Sequence, residues 1–367
     1  MSDEERKRKK KSAVNKAQNG NKPNGKPINN KGKKKKKKKK KINFVRFTIF
    51  ILGIVVFLVV LGGTYLAKLF GKMESVELDK DKLGIVSNEE LKGYENYKKV
   101  KNIALFGVDS SDGVGRSDAI IIATVDEVHD KLKITSLMRD TYVNIEGHGY
   151  DKLNHAYAFG GPELAINTIN KNFGLNIEDF VCVDFASLPE IIDIFGGIEL
   201  DITEDEITTQ NNINSNIKDI NNVLGTNCSL IDGPGLQTVN GVQALAYSRI
   251  RYTDGGDYKR TERQRIILGK LFDKAFSMSI SKYPNLINQV LPYVKTNLSA
   301  GTILSMATKV VSMGDGSLEQ ERFPLDGYSE GDLINDVYYL TYDEEATKKQ
   351  IMDYLFDDKK PDKNITN

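Results

Sequence analysis

The chain has 367 residues, 40% of them apolar and 28% charged, with a net charge of only +2. That composition excludes a wholly disordered chain and a polytopic membrane protein. Two cysteines and three histidines exclude a disulfide-stapled scaffold and a Cys/His zinc module.

The small net charge hides an asymmetry. Residues 1–46 carry 20 Lys or Arg against 3 Asp or Glu, and the remainder carries 32 against 47. This first segment includes nine consecutive lysines, Lys33 to Lys41, and has too few apolar residues to fold. Such a segment is either a nucleic-acid arm or a solvated tail at a membrane face; the uncharged run directly after it favours the tail, so no nucleic-acid partner is expected. That run, residues 47–67, reads "FTIFILGIVVFLVVLGGTYLA". As a helix it reaches about 31 Å, the thickness of a hydrocarbon core. It is too long and starts too late for a cleaved signal peptide. The basic excess before it keeps the tail in the cytoplasm and sends the rest outside. The expected organisation is a disordered tail (1–46), a transmembrane signal-anchor helix (47–67) and a stalk (68–98). An extracytoplasmic domain (99–345) and a C-terminal tail (346–367) complete the chain, the tail opening as a short helix.

Runs rich in β-branched residues predict strands at 101–108, 119–125, 131–137, 180–185, 198–202 and 244–250, and "EQERFP" reads as one more. Several are apolar throughout, as in strands covered on both faces. Helices are predicted at "GPELAINTINKNFG", with Pro162 at the first helical position and Gly174 as the stop, at "SLPEIIDIFGG", and at "YPNLINQVLPYV" and "AGTILSMATKVVSM". Residues 203–235, rich in Asn, Ile and Thr, read as a long irregular loop. The fold class is α/β, an α-β-α sandwich around a central mixed sheet. Cys182, in the apolar run "FVCVDF", reads as a buried thiol, and Cys182 and Cys228 are expected to remain unpaired.

The chemistry concentrates in three stretches. "GVDSSDGVGRSD" places Asp109, Asp112, Arg116 and Asp118 where a strand ends, the position at which α/β sheets bind ligands. Oxygen-only side chains of this kind suit Mg²⁺ or Mn²⁺, and an Asp-rich turn is equally often a simple turn former, so both readings stay open here. "SLMRDTYVNI" adds Arg139 and Asp140 after another strand. "YSRIRYTDGGDYKRTERQR" adds Arg249 and Arg251, two apart on one strand face, and then a helix with Asp257 as its N-cap. On that helix Arg260 and Gln264 continue the apolar stripe of Ile267 and Leu271, so they point inward, while Arg263 and Arg265 fall on solvated faces. Several arginines and a few carboxylates, without a nucleophile–His pair, suit a phosphate or pyrophosphate group. An ion-pair network with Asp254 and Asp257 would use the same residues, and the sequence leaves both readings open. His155 in "KLNHAY" reads as a structural histidine, Asn154 as a helix-entry residue and Lys152 as a candidate ligand contact.

Taken together, "GVDSSDGVGRSD", "RDTYVNI", "KLNHAYAFGG", "VDFASLPEIIDIFGGIELDI" and "VNGVQALAYSRIRYTDGGDYKRTERQR" resemble the LytR-CpsA-Psr family of cell-wall glycopolymer transferases over residues 102–271. The resemblance implies a metal-dependent phosphotransferase. It would move a teichoic-acid-like or capsular glycopolymer from a polyprenyl-pyrophosphate carrier to a muramic-acid hydroxyl of peptidoglycan, at the cell membrane. It implies metal-binding roles for Asp109 and Asp118, with Mg²⁺ or Mn²⁺ as cofactor. It implies pyrophosphate binding by Arg116, Arg139, Arg249, Arg251 and Arg260, and polar site positions at Asp257 and Gln264. A non-enzymatic anchored protein that binds or regulates wall polymer or lipid would use the same arginines without the carboxylate pair. A lipid-pyrophosphate hydrolase would use water as acceptor.

Overall fold

The computed structural model describes residues 74–361, apart from 95–96, 110–114, 252–255, 300–301, 304, 307–308, 311–312 and 314–317. All of them belong to one unit, Leu58–Asn367. The expected tail and span at 1–67 lie outside the described residues; among those described, no helix is long and apolar enough to cross a membrane.

The centre of the fold is an antiparallel meander of β2 (Val100–Asp109), β3 (Arg116–Asp126) and β4 (Lys131–Leu137). Parallel strands flank it: β7 (Asp179–Asp184) beside β2, and β11 (Leu318–Phe323) beside β4. Two short strands, β10 (Lys295–Thr296) and β1 (Glu74–Ser75), extend the β7 edge. Among the described residues the order is β1-β10-β7-β2-β3-β4-β11, a mixed sheet as the sequence implied.

One face packs against α1 (His155–Phe173) and α8 (Glu344–Phe356), burying Phe106, Ile120, Ile122, Phe173, Phe180 and Leu355 in one core. Inside α1 the backbone leaves helical geometry at Gly160 and Gly161, and Pro162 opens the following stretch. Gly174 stops it with φ 71° and ψ 40°; a Cβ there would also lie 2.4 Å from the Lys348 side chain. The other face meets α2 (Ser187–Ile194), α5 (Gly241–Ser248) and α6 (Gly256–Ser277). Behind these helices, β8 (Ile198–Ile202) and β9 (Gly235–Val239) form a separate antiparallel pair that shares a second core with α5. The predicted helix in "YPNLINQVLPYV" is present as α7 (Tyr283–Val290), with Pro284 in its first turn.

Four expectations are corrected. Residues 244–250 are mostly helical, not a strand: α5 is buried along its whole length, so no polar face betrays its period, and an Asn240/Gln243 capping box opens it. Residues 203–235 contain two helices, α3 (Glu204–Thr208) and α4 (Ile213–Leu224), as well as the start of β9. Residues 74–98 are no stalk, because Leu83 and Leu91 are buried in the first core. The short helix expected from 346 is the remainder of α8, but its Ile351 and Leu355 are fully buried, so residues 346–356 belong to the domain and not to a tail. Cys182 is buried, as read, and accepts from the Tyr157 hydroxyl at 3.3 Å; among the described residues neither Cys182 nor Cys228 is in a disulfide.

Candidate phosphate site

Strand β3 carries the first site carboxylate through an irregularity. Gly107 pairs with Ala119 and Val108 with Ser117, so Asp118 has no opposite number on β2. This β-bulge breaks the alternation of side chains and lets Asp118 line the same cavity as Ala119 and Ile121. Asp109, at the end of β2, lines that cavity too. Asp112 falls outside the described residues.

Helix α6 supplies the opposing wall. Arg260, Gln264 and Ile267 line the cavity, as the stripe of inward positions predicted; Leu268 lines it in place of the expected Leu271. Arg260 is 3% exposed. Its Nη2 lies 3.0 Å from Asp257 Oδ1 and 3.5 Å from the Asp118 carbonyl oxygen. Arg139, just past β4, donates from Nη1 to Asp118 Oδ1 at 2.8 Å. It also lies 3.3 Å from Asp140 and 3.5 Å from Asp257. Asp257 thus ties two guanidinium groups together, and Arg139 ties β3 to α6.

The electrostatics follow from this packing. Burial opposes ionisation of Asp118, yet the charges of Arg139, Arg260 and Arg251 hold its pKa below the usual carboxylate value. Arg260 is pushed down to about 10 by burial and by repulsion from Arg139, with Asp257 and Asp118 pulling the other way. It remains a cation at neutral pH, held out of water among both arginines and carboxylates and fixed in place by Asp257. That is the condition under which an incoming anion gains most.

Arg249 and Arg251 reach the cavity by a route other than the expected strand face. Arg249 is the C-cap of α5, where the partial negative charge of the helix end favours a cation. Its guanidinium carbon sits 4.6 Å from the centre of the Phe185 ring. Both arginines line the cavity, and Arg251 is exposed. Arg116, paired with Asp109 across the strand end, is exposed as well.

Two arginines expected in solvent are not there. Arg263 is 4% exposed and donates from Nε to Glu206 Oε1 at 2.8 Å and from Nη1 to the Ile250 carbonyl at 3.2 Å. Arg265 is half-buried against Arg322, and burial, then that repulsion, lowers its pKa. Asp254 lies outside the described residues. His155 Nδ1 sits 2.8 Å from Asp151 Oδ2, in keeping with its structural reading, and Asn154 is buried at the start of α1. Lys152 contacts Asp140 at 2.9 Å.

Sequence reasoning missed the apolar lining. Leu105, Ile121, Val181, Val183, Leu188 and Leu245 wall a cavity of about 230 Å³ between sheet and helices, with the arginines at its rim. Each belongs to a hydrophobic run whose pattern announces only burial. Nothing in that pattern separates a side chain facing another side chain from one facing a hollow.

Asp109 and Asp118 form an oxygen-only donor set beside the arginines. Among the described residues no group of three or more Cys, His, Asp or Glu is gathered for a metal. Two carboxylates fit a cation that takes its remaining ligands from water and phosphate oxygens, the habit of Mg²⁺.

The fold and site have counterparts among known proteins. A transferase of Enterococcus faecalis, the polyisoprenyl-teichoic acid–peptidoglycan teichoic acid transferase TagU, is 33% identical over 81% of this chain and 92% of its own. The structure of protein gbs0355 from Streptococcus agalactiae matches with a TM-score of 0.60 and 27% identity, covering 74% of this chain and 92% of that one. A family protein, YwtF (TagT), solved with bound octaprenyl pyrophosphate lipid, matches with a TM-score of 0.52 and 25% identity, covering 70% and 91%. The LytR_cpsA_psr family model matches residues 65–354, most of the chain and every residue of the site; the chain belongs to that family.

Proposed function

We propose that this protein is a phosphotransferase that moves a teichoic-acid-like or capsular glycopolymer from a polyprenyl-pyrophosphate carrier to peptidoglycan. One observation carries the reading: an apolar cavity under the sheet opens onto three guanidinium groups, those of buried Arg260, half-buried Arg249 and exposed Arg251. A substrate that fits both must be amphiphilic, with a long apolar part and a compact multiply charged one. A lipid pyrophosphate is such a molecule. The teichoic acid transferase relative of Enterococcus faecalis and the octaprenyl pyrophosphate bound in the YwtF (TagT) structure support the same class.

In this mechanism the prenyl chain lies among Leu105, Val181, Leu245 and Ile267. Arg249, Arg251 and Arg260 meet the pyrophosphate oxygens, with Gln264 as a neutral donor beside them. Arg116, exposed at the strand end, approaches from outside. Arg139 holds Asp118 and Asp257 in place and does not itself have to reach the phosphates. Asp109 and Asp118 would hold Mg²⁺ or Mn²⁺, which would neutralise phosphate charge. The acceptor hydroxyl oxygen attacks the phosphorus next to the glycopolymer and gives up its proton to water, the P–O bond to the second phosphate breaks, polyprenyl phosphate leaves, and a phosphodiester remains. Phosphoryl transfer depends on positioning and charge stabilisation more than on covalent catalysis, and the arginine rim supplies both.

The decisive assay combines full-length protein in detergent, a lipid-pyrophosphate glycopolymer and uncrosslinked peptidoglycan. Polymer linked to peptidoglycan through a phosphodiester is the expected product. Free polymer phosphate alone would make the protein a hydrolase; unaltered donor would make it a binding protein. Asp118→Asn is expected to weaken Mn²⁺ binding, read by the paramagnetic resonance of the free ion. Unchanged Mn²⁺ affinity in that variant would remove Asp118 as a ligand.

The same reading places the protein at the cell membrane, anchored by 47–67 with residues 1–46 in the cytoplasm. An epitope at residue 10 should stay protected from antibody and protease on intact cells, while the region beyond residue 74 is digested. Labelling of that epitope from outside would reverse the orientation.

A further inference from the structure

Aromatic side chains, Tyr338 and Tyr150 exposed and Tyr339 and Tyr142 half-buried, gather beside the arginine site. They come from the antiparallel hairpin of β5 (Tyr142–Ile145) and β6 (Gly149–Lys152) and from a second hairpin, β12 (Ser329–Ile334) and β13 (Val337–Tyr342). The two hairpins are joined where the Leu340 N–H donates to the Asp140 carbonyl at 2.9 Å. Tyr338 is 49% exposed and Tyr150 is 52% exposed.

The rings succeed one another away from the site. Tyr338 lies close enough to Tyr258, Asp140 and Asp257 that, after burial, these groups raise its pKa. Its ring rests over Gly331, where a Cβ would come within 2.7 Å of it; the absent side chain leaves the ring a seat. Lys152 Nζ stands 5.8 Å from the centre of the Tyr338 ring and 5.7 Å from that of Tyr339. Tyr339 is 4.8 Å from Tyr142, and Tyr142 is 5.2 Å from Tyr150, centre to centre. Polar groups are set among the rings. Asp151 accepts from the Tyr339 hydroxyl at 3.4 Å, and Lys152 links back through Asp140 to Arg139. At Tyr150 the series opens into a groove of about 660 Å³ that includes Asn144, Asn172 and Glu146.

Aromatic faces interleaved with carboxylate, ammonium and amide groups match a pyranose chain. The C–H face of a sugar ring lies on an aromatic face, which is electron-rich, while its hydroxyl and acetamido groups hydrogen-bond to the polar neighbours. A bilayer would fit this surface poorly, because the exposed Glu146 and Lys171 of the adjoining groove would have to leave water. We propose that Tyr338, Tyr339, Tyr142 and Tyr150 form the docking track for the acceptor, a glycan strand of linked N-acetylamino-sugar pyranoses. The inference rests on the transferase reading and adds the acceptor's path: the strand runs from Tyr150 inward, and Tyr338 presents one of its hydroxyls to the phosphates beside Asp257 and Arg260.

The test uses full-length protein in detergent and peptide-free peptidoglycan glycan strands. Interface tyrosines commonly contribute enough that truncation costs about tenfold in affinity. Tyr150→Ala should raise the KM for the strands by about tenfold, with kcat at saturating strand close to the parent, whereas Tyr338→Ala should raise the KM and also lower kcat, because the acceptor hydroxyl loses the ring that presents it. Because the chain contains no tryptophan, Tyr338→Trp gives a single reporter. It should keep the parent KM, and its emission should shift when strands are added. An unchanged KM in both alanine variants, or an indifferent reporter emission, overturns the track. So does an alanine variant that loses binding to phosphatidylglycerol vesicles but keeps its KM for strands, since the surface would then face lipid. If the parent makes no linked product, the transferase reading fails, and the reporter titration still decides the glycan surface by itself.

Discussion

Replacing Arg260 with alanine should lower transfer about a hundredfold while the domain stays folded. The side chain is nearly inaccessible, lines the cavity and has its charge only partly offset by Asp257. Losing one preorganised donor to a developing oxyanion costs about 2.7–4 kcal/mol, and about 1.4 kcal/mol is tenfold in rate. Asp257 keeps Arg139 at 3.5 Å, so the substitution leaves no isolated buried carboxylate. Arg260→Lys should recover only part, because an ammonium cannot reproduce a planar two-pronged donor. Arg265→Ala serves as the comparison: it removes a guanidinium farther along the helix that faces Arg322. Its rate should remain within a few-fold of the parent. Equal losses from Arg260→Ala and Arg265→Ala would mean that the helix offers a diffuse basic surface and not a shaped site.

The largest loss of stability is expected at Arg263, which approaches no phosphate. Its guanidinium and the Glu206 carboxylate belong to residues that are 4% and 6% exposed. Breaking a buried pair by removing one partner costs about 3–5 kcal/mol, because the other charge is left without water or a counter-ion. Arg263→Ala should therefore shift the denaturant midpoint by an amount of that order. Glu206 also closes the cap of α3 by accepting from the Thr203 N–H at 3.0 Å, so Glu206→Gln is the gentler partner variant. Replacing both, as Arg263→Met with Glu206→Gln, should cost less than the two single changes summed. A midpoint unmoved by Arg263→Ala would refute the burial of this pair. Because Arg263 also holds the Ile250 carbonyl, it fixes the chain between Arg249 and Arg251. Loss of stability should thus come with weaker donor binding.

The sequence disclosed the parts of the site that obey local rules. The sheet strands are apolar and bounded by turn residues, and the α6 stripe placed Arg260 and Gln264 inward. It hid the parts set by tertiary packing. Residues 213, 217, 220 and 224 of α4 are Ile or Leu at helical spacing, but the intervening asparagines are weak helix formers and blurred the pattern. Helix α5 is buried on all sides and so resembled a strand, although its Asn240/Gln243 cap was present in the sequence. Arg263 looked solvated because its position off the main stripe says nothing about the elements packed on that side of α6. The acidic partner that neutralises it is 57 residues away.

The bulge at Asp118 has a consequence for how such a protein can change over generations. Ladder pairs from Gly107–Ala119 inward to Val100–Asp126 keep their register whether or not a residue is inserted at position 118. The carboxylate is thus an insertion grafted on the rim of a finished sheet, outside the residues that must agree for the core to pack. Drift in the loop around it can alter the chemistry of the rim without rewriting the hydrophobic code of the strands. Conversely, a change in the strands meets the whole ladder at once. Innovation here should collect at the margin of the sheet, and its interior should stay conservative.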